Sequence, residues 1–301
     1  MNLLGIFLRG LAMGSADVVP GVSGGTIAFI TGIYGRLLDA ISGISPTVLK
    51  TLKDKGLAAA WKEIDGSFLL ALGSGILVAI ISLARVIHYL LTEHPVALWA
   101  FFFGLIIASC WHIGRTIPQW RWQEITALCT GAIIAAWISL ASPTEIEATL
   151  PVVFVAGSIA ICAMILPGIS GSFMLLLMGL YAPVMGAIKG FELPLLGTFA
   201  AGALLGLLLF SRLLSWLLHH YESVLLSLLT GFMVGSLVKV WPWKETLLTR
   251  INSKGEEVPF IQSNVLPGTE DQLFLAIALM FAGAIVVLGM ERLTTKPDAT
   301  K

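Results

Sequence analysis

The 301 residues are 57% hydrophobic and 12% charged, with a mean hydropathy of +0.91, against roughly 45–50% apolar and about 25% charged residues in soluble domains. Eighteen basic residues balance eighteen acidic ones, so no basic face for nucleic acid is implied, and the composition is that of a polytopic membrane protein whose surroundings are membrane lipids. Cys110, Cys129 and Cys162 lie in apolar runs without CxxC or histidine spacing, so no metal site, cofactor or redox role is expected of them.

Residues 3–14 form an apolar run that carries Arg9 and ends without a small-residue cleavage pattern, so it does not read as a signal peptide. The stretch Asp17-Val18-Val19-Pro20-Gly21-Val22-Ser23-Gly24-Gly25-Thr26 follows. Pro20 and Gly21 predict a helix break, because proline lacks an N–H and glycine frees the backbone. Ser23, Gly24, Gly25 and Thr26 would then open a second half-helix, offering hydroxyls and unpaired amides to an anion. Neither half reaches the roughly 20 residues of a crossing, so 3–42 reads as a re-entrant hairpin. Asp17 is the one carboxylate in the motif, readable as a helix cap, a partner for Arg9 or a proton-coupling group.

A polar segment over 45–65 holds Lys50, Lys53, Lys55 and Lys62, and apolar spans follow at 66–91, 96–113 and 125–141. The order then recurs. Residues 150–189 form a second hairpin containing Met164-Ile165-Leu166-Pro167-Gly168-Ile169-Ser170-Gly171-Ser172-Phe173, with spans at 193–218, 224–240 and 273–290. Pro167 and Gly168 would break this helix, and Ser170, Gly171 and Ser172 would offer its donors. Pro20, Gly21, Ser23, Gly24, Gly32 and Tyr34 match Pro167, Gly168, Ser170, Gly171, Gly179 and Tyr181 at an offset of 147. Gly75, Arg85, Leu90, Leu91, Gly104 and Ser109 match Gly202, Arg212, Leu217, Leu218, Gly231 and Ser236 at an offset of 127.

The predicted fold is therefore a single all-α membrane domain over 1–301, made of repeats 1–142 and 150–291, each a re-entrant broken-helix hairpin plus three transmembrane helices. Three crossings per half is an odd number, so duplication implies an inverted-topology repeat. Lys50, Lys53, Lys55, Lys62, Arg115, Arg121, Arg292, Lys296 and Lys301 fall on one side, whereas Lys189, Lys244, Arg250 and Lys254 fall on the other. The positive-inside rule then puts both termini in the cytoplasm. The stretch from Trp243 to Asp271 reads as an external loop of low order.

Arg85 and Arg212 are candidate ligands for an anion, since an intramembrane arginine costs about 2.5–3.5 kcal/mol on insertion scales and presents a planar fork suited to phosphate. Snorkelling to an interface is the structural alternative. His88, His94, His219, His220 and Glu222 cluster at span ends and read as interfacial caps, and the tryptophans as aromatic belts.

"ADVVPGVSGGTIAFITGIY" together with "AMILPGISGSFMLLLMGLY" resembles the PopT-type family of bacterial polyprenyl-phosphate transporters, across essentially the whole chain. The resemblance implies a flippase, not an enzyme, that returns undecaprenyl phosphate from the outer to the inner leaflet of the bacterial inner membrane for reuse in envelope and peptidoglycan synthesis. The phosphate head would pass Arg85, the paired Ser-Gly breaks and Arg212 while the tail stays in hydrocarbon. Two rivals stand beside it. "PGVSGGT" is similar to the Pro-Gly-x-Ser-Arg-Ser segment of the membrane undecaprenyl-pyrophosphate phosphatases, but Gly24 and Gly25 replace its Arg and Ser, and paired carboxylates for acid–base chemistry are missing from the motifs. A secondary transporter of a small soluble anion could use the same helix-end donors. The sequence leaves a homo-oligomer open.

Overall fold

The computed structural model describes residues 2–19, 21–144, 146–251, 257–268 and 272–294. Pro20, one of the predicted break residues, lies outside them. The first hairpin consists of α1 (Leu3–Asp17), α2 (Gly24–Ile30) and α3 (Tyr34–Ser42). Short surface helices α4 (Pro46–Lys55) and α5 (Leu57–Glu63) lead into α6 (Gly66–Glu93), α7 (Pro95–Thr116) and α8 (Trp122–Leu140). The second hairpin is α9 (Leu150–Ile165), α10 (Gly171–Leu177) and α11 (Tyr181–Gly190), and α12 (Leu193–His220) and α13 (Glu222–Val240) follow it. Strands β1 (Lys244–Ile251) and β2 (Glu257–Asn264) precede α14 (Leu273–Thr294). Among the described residues five helices, α6, α7, α8, α12 and α13, are long and apolar enough to cross a membrane.

Three features depart from the sequence expectation. Each hairpin is divided into three pieces rather than two, because Gly32 and Gly179 adopt φ of +69° and +72° and stop α2 and α10 after seven residues. α10 and α11 consequently meet at 109°. The segment expected as a loop of low order instead pairs β1 with β2 as an antiparallel hairpin with an irregularity between Thr246 and Thr249. Its Thr, Leu, Ile, Val and Phe residues favour an extended backbone, a local signal outweighed in the sequence reading by Pro259 and Pro267. The polar stretch after the first hairpin, finally, is helical: Pro46 occupies the first turn of α4, where its missing N–H is harmless.

Membrane helices gain little from hydrophobic association, so close backbone approach through small residues dominates their packing. Here that approach comes in matched pairs. Gly10 faces the carbonyl of Leu72 and Gly75 that of Phe7, joining α1 to α6; Gly157 faces Phe199 and Gly202 faces Phe154, joining α9 to α12. Gly131 meets Leu228 and Gly231 meets Leu128 between α8 and α13, while Gly104 meets Met280 and Gly283 meets Phe101 between α7 and α14. The latter two contacts tie the first half of the chain to the second.

A Cβ at Gly202 would run into the Phe154 carbonyl, whereas one at Gly73 would meet nothing within 4 Å. Gly202→Ala should therefore cost about 1–3 kcal/mol through overpacking, and Gly73→Ala should be neutral or slightly stabilising. Chemical denaturation of the two variants in detergent checks the contrast.

Candidate functional site

At the first break α1 ends on Asp17, and Gly21 turns the chain in the left-handed region at φ +85°. Ser23 is extended and caps α2, its Oγ accepting the Gly25 N–H at 3.1 Å. The Asp17 Oδ1 accepts the Gly24 N–H at 2.6 Å, and the Thr26 N–H donates to the Ser23 carbonyl at 2.9 Å. Ser23, Gly24, Gly25 and Thr26 are all buried. The amides of Gly24, Gly25 and Thr26, expected to be open to a ligand, are occupied from within the protein in this conformation. Asp17 meets its acceptor role here rather than at Arg9, whose Nη1 donates to the Gly5 carbonyl.

The second break has the same backbone and different chemistry. Gly168 repeats the φ of +85°, but Met164 stands where the first copy has Asp17, and Ser170 makes no side-chain cap. The Ser170 and Ser172 hydroxyls bond each other at 3.0 Å. Among the described residues the N–H groups of Gly171 and Ser172 have no acceptor, and Ser172 is exposed. α2 also touches α7 and α9, whereas α10 is held mainly by α9 and α11. The first break is buried throughout from Gly21 to Thr26, and the second is buried from Pro167 to Gly171 with Ser172 exposed.

Two hydrogen bonds join the breaks directly. The Ser23 Oγ donates to the Met164 carbonyl at 2.8 Å, and the Gly168 N–H donates to the Thr26 Oγ1 at 2.9 Å. Gly25 also lies against the carbonyl of Ile165, so a side chain there would displace the second copy's backbone. The residues singled out in the two motifs thus form one cluster.

The arginines lie elsewhere. Arg212 donates from Nη2 to the Ile44 carbonyl at 2.9 Å and from Nε to the Ser42 carbonyl at 3.4 Å, which ties α12 to the end of α3. Arg85 is exposed, and no hydrogen bond or ion pair engages it among the described residues. Beside the breaks stands a different cation. The Lys239 side chain packs on Gly21, and its Nζ lies 4.1 Å above the centre of the Phe173 ring, so it touches both copies. The Lys244 Nζ donates to the Lys239 carbonyl at 2.6 Å and lies 3.8 Å over Trp99. Burial, with the charge of Lys239 adding to it, pulls the Lys244 ammonium down to about 7. Sequence reasoning missed Lys239, because a lysine in the last turn of an apolar span looks like ordinary snorkelling.

Residues 13–258 match the undecaprenyl phosphate translocase-like family. The chain belongs to this family. A polyprenyl-phosphate transporter of Vibrio cholerae is 52% identical over 303 residues, covering 98% of each chain. A polyprenyl-phosphate transporter of Staphylococcus aureus is 32% identical over 309 residues, covering 97% of each. No solved structure matches. Within this family member, the interrupted helices are the feature that a membrane-embedded backbone has most reason to avoid unless it is buried or lines a cavity.

Removing the Asp17 carboxylate would leave the Gly24 N–H buried without an acceptor. Asp17→Ala should lose about 1–3 kcal/mol of stability, and Asp17→Asn, which keeps an acceptor oxygen, should lose less than about 1 kcal/mol. Denaturation curves of both variants in the same detergent test the cap.

Proposed function

We propose that this chain is a transporter of polyprenyl phosphate, undecaprenyl phosphate in particular, carrying the head group from the outer to the inner leaflet of a bacterial inner membrane. The observation that carries the reading is the joined pair of interrupted helices, in a chain whose full-length relatives bear that transporter name. A lipid phosphate needs a polar path for its head alone. The Gly171 and Ser172 amides, which have no acceptor among the described residues, and the Ser170 and Ser172 hydroxyls would receive it at the second break. Ser23, Gly24, Gly25 and Thr26 would receive it when the first break opens in turn. No bond is made or broken, so no phosphate is released.

In this reading the halves are an inverted repeat, both termini are cytoplasmic, and the structure is one of two conformations related by exchange of the halves. Its asymmetry supports the idea. α3 is latched to α12 by the Arg212 bonds, by the Ser215 Oγ donating to Asp39 at 2.6 Å, and by Leu218 against Gly35. Applying the two offsets to this latch gives Arg85 with the 189–191 carbonyls, His88 with Gly186, and Leu91 with Ala182. No comparable packing joins α6 to α11, and Gly186 has open space where a side chain would go. Arg85 and Arg212 would then be alternating latches that act away from the joined breaks, and Asp17 is the candidate for proton coupling.

Two experiments test this. Reconstituted into proteoliposomes, the protein should move undecaprenyl phosphate between leaflets without releasing inorganic phosphate, and Arg85→Ala and Arg212→Ala should each reduce the rate at least about tenfold. Asp17→Asn in the same assay should remove any response to a pH gradient; release of phosphate would instead indicate a hydrolase. On a background lacking Cys110, Cys129 and Cys162, a Cys pair at His88 and Gly186 should form a disulfide during turnover and arrest transport until it is reduced. Failure to cross-link in an actively transporting protein would remove the exchange of halves.

A further inference from the structure

Beneath the β-hairpin lies a cavity of about 370 Å³ lined by Ser139 and Leu140 of α8, Lys239 of α13, Lys244 of β1 and Gln262 and Asn264 of β2, among others. Two of its lining side chains are cations and none is a carboxylate. Among the described residues neither Lys239 nor Lys244 has an ion pair. Each ammonium instead rests on an aromatic face, Phe173 for Lys239 and Trp99 for Lys244, and Lys244 bonds the backbone of its neighbour. Two half-buried like charges held this close disfavour each other, and an anion between them relieves both the repulsion and the desolvation.

The surroundings narrow the anion. The hairpin turns Leu247 and Leu248 outward at 58% and 55% exposure, and Leu266 beyond it is 85% exposed. Apolar lining at Leu140, Val238 and Leu247 together with the two ammonium groups suits a head group whose tail remains in lipid. Glu245, next to Lys244 in the strand, is not part of the cavity lining. Lys239 also touches Gly21 and Phe173, so an anion it held would stand next to both breaks.

We propose that Lys239 and Lys244 form a phosphate-binding site under the β-hairpin, which captures the monoester head of the lipid before it reaches the interrupted helices. The site rests on the transporter reading for its ligand, and on its own geometry for the choice of an anion. Ser139, Gln262 and Asn264 supply neutral polar groups around the two cations. Lysine suits a rotating phosphate head, because its ammonium is a compact charge with three donors and does not fix one orientation.

The test uses the full chain in nanodiscs, with the tryptophan emission of Trp99 beneath Lys244 as the signal and undecaprenyl phosphate and inorganic phosphate as separate probes. Lys239→Met and Lys244→Met should each weaken lipid binding about ten- to hundredfold, the range expected for losing a hydrogen bond to a charged group. Their thermal stability should hold or rise, since an unpaired buried charge is removed. Lys→Arg at either position should restore most of the affinity. A double Met variant that binds and transports like the wild type overturns the site while leaving the transporter intact. Wild-type protein that binds undecaprenyl phosphate through these lysines but does not move it between leaflets overturns the transporter reading and leaves the site. Equal binding of inorganic phosphate and the lipid overturns the assignment to a lipid head group.

Discussion

A peptide N–H in hydrocarbon has no water to turn to, and the rest of this structure follows from how two interrupted helices meet that requirement. The first copy meets it internally: Asp17 and Ser23 take the Gly24 and Gly25 amides, and Thr26 takes that of Gly168 from the other copy. The second copy, with Met164 in place of the carboxylate, leaves the amides of Gly171 and Ser172 open. Similar backbones therefore differ in hydrogen bonding through one acidic side chain. The two breaks share a backbone course and differ in which of their amides are taken up from within the protein.

Such a cluster must be held at a fixed depth by something other than hydrophobic association, which lipid does not provide. Glycines facing carbonyl groups do this, in contacts that recur between corresponding helices of the two halves. The α8–α13 and α7–α14 contacts cross between halves, so the hairpins rest on a shared frame. Against this regularity the latch of α3 on α12, with no comparable packing of α11 on α6, is the principal asymmetry. The repeated contacts form the frame, and the unequal latch distinguishes its two ends.

Charge placement fits the same logic. Arg212 satisfies backbone carbonyls at the end of a short helix, where a cation is favourable. Among the described residues Lys239 and Lys244 meet no carboxylate; they sit on aromatic rings under a β-hairpin, where burial disfavours the Lys244 charge. A cation kept in such a position without an anionic partner is costly unless the partner is a ligand. The hairpin covers this pair and supplies Lys244 itself.

The sequence by itself determined the membrane character, the positions of the apolar helices and the two motifs as interruptions, because composition, helix length and Pro-Gly chemistry act locally. It also marked the correspondence of Gly75 with Gly202 and of Arg85 with Arg212. The second stop in each hairpin was visible only as a matched Gly32 and Gly179, since a single glycine is compatible with a continuing helix until its φ is known. Which amides are free was decided by tertiary structure alone: the acceptors of Gly24 and Gly168 come from residues 7 and 142 positions away. The meeting of Lys239 with Gly21 and Phe173 is likewise a matter of packing, because a contact between distant segments leaves no periodic trace in either one.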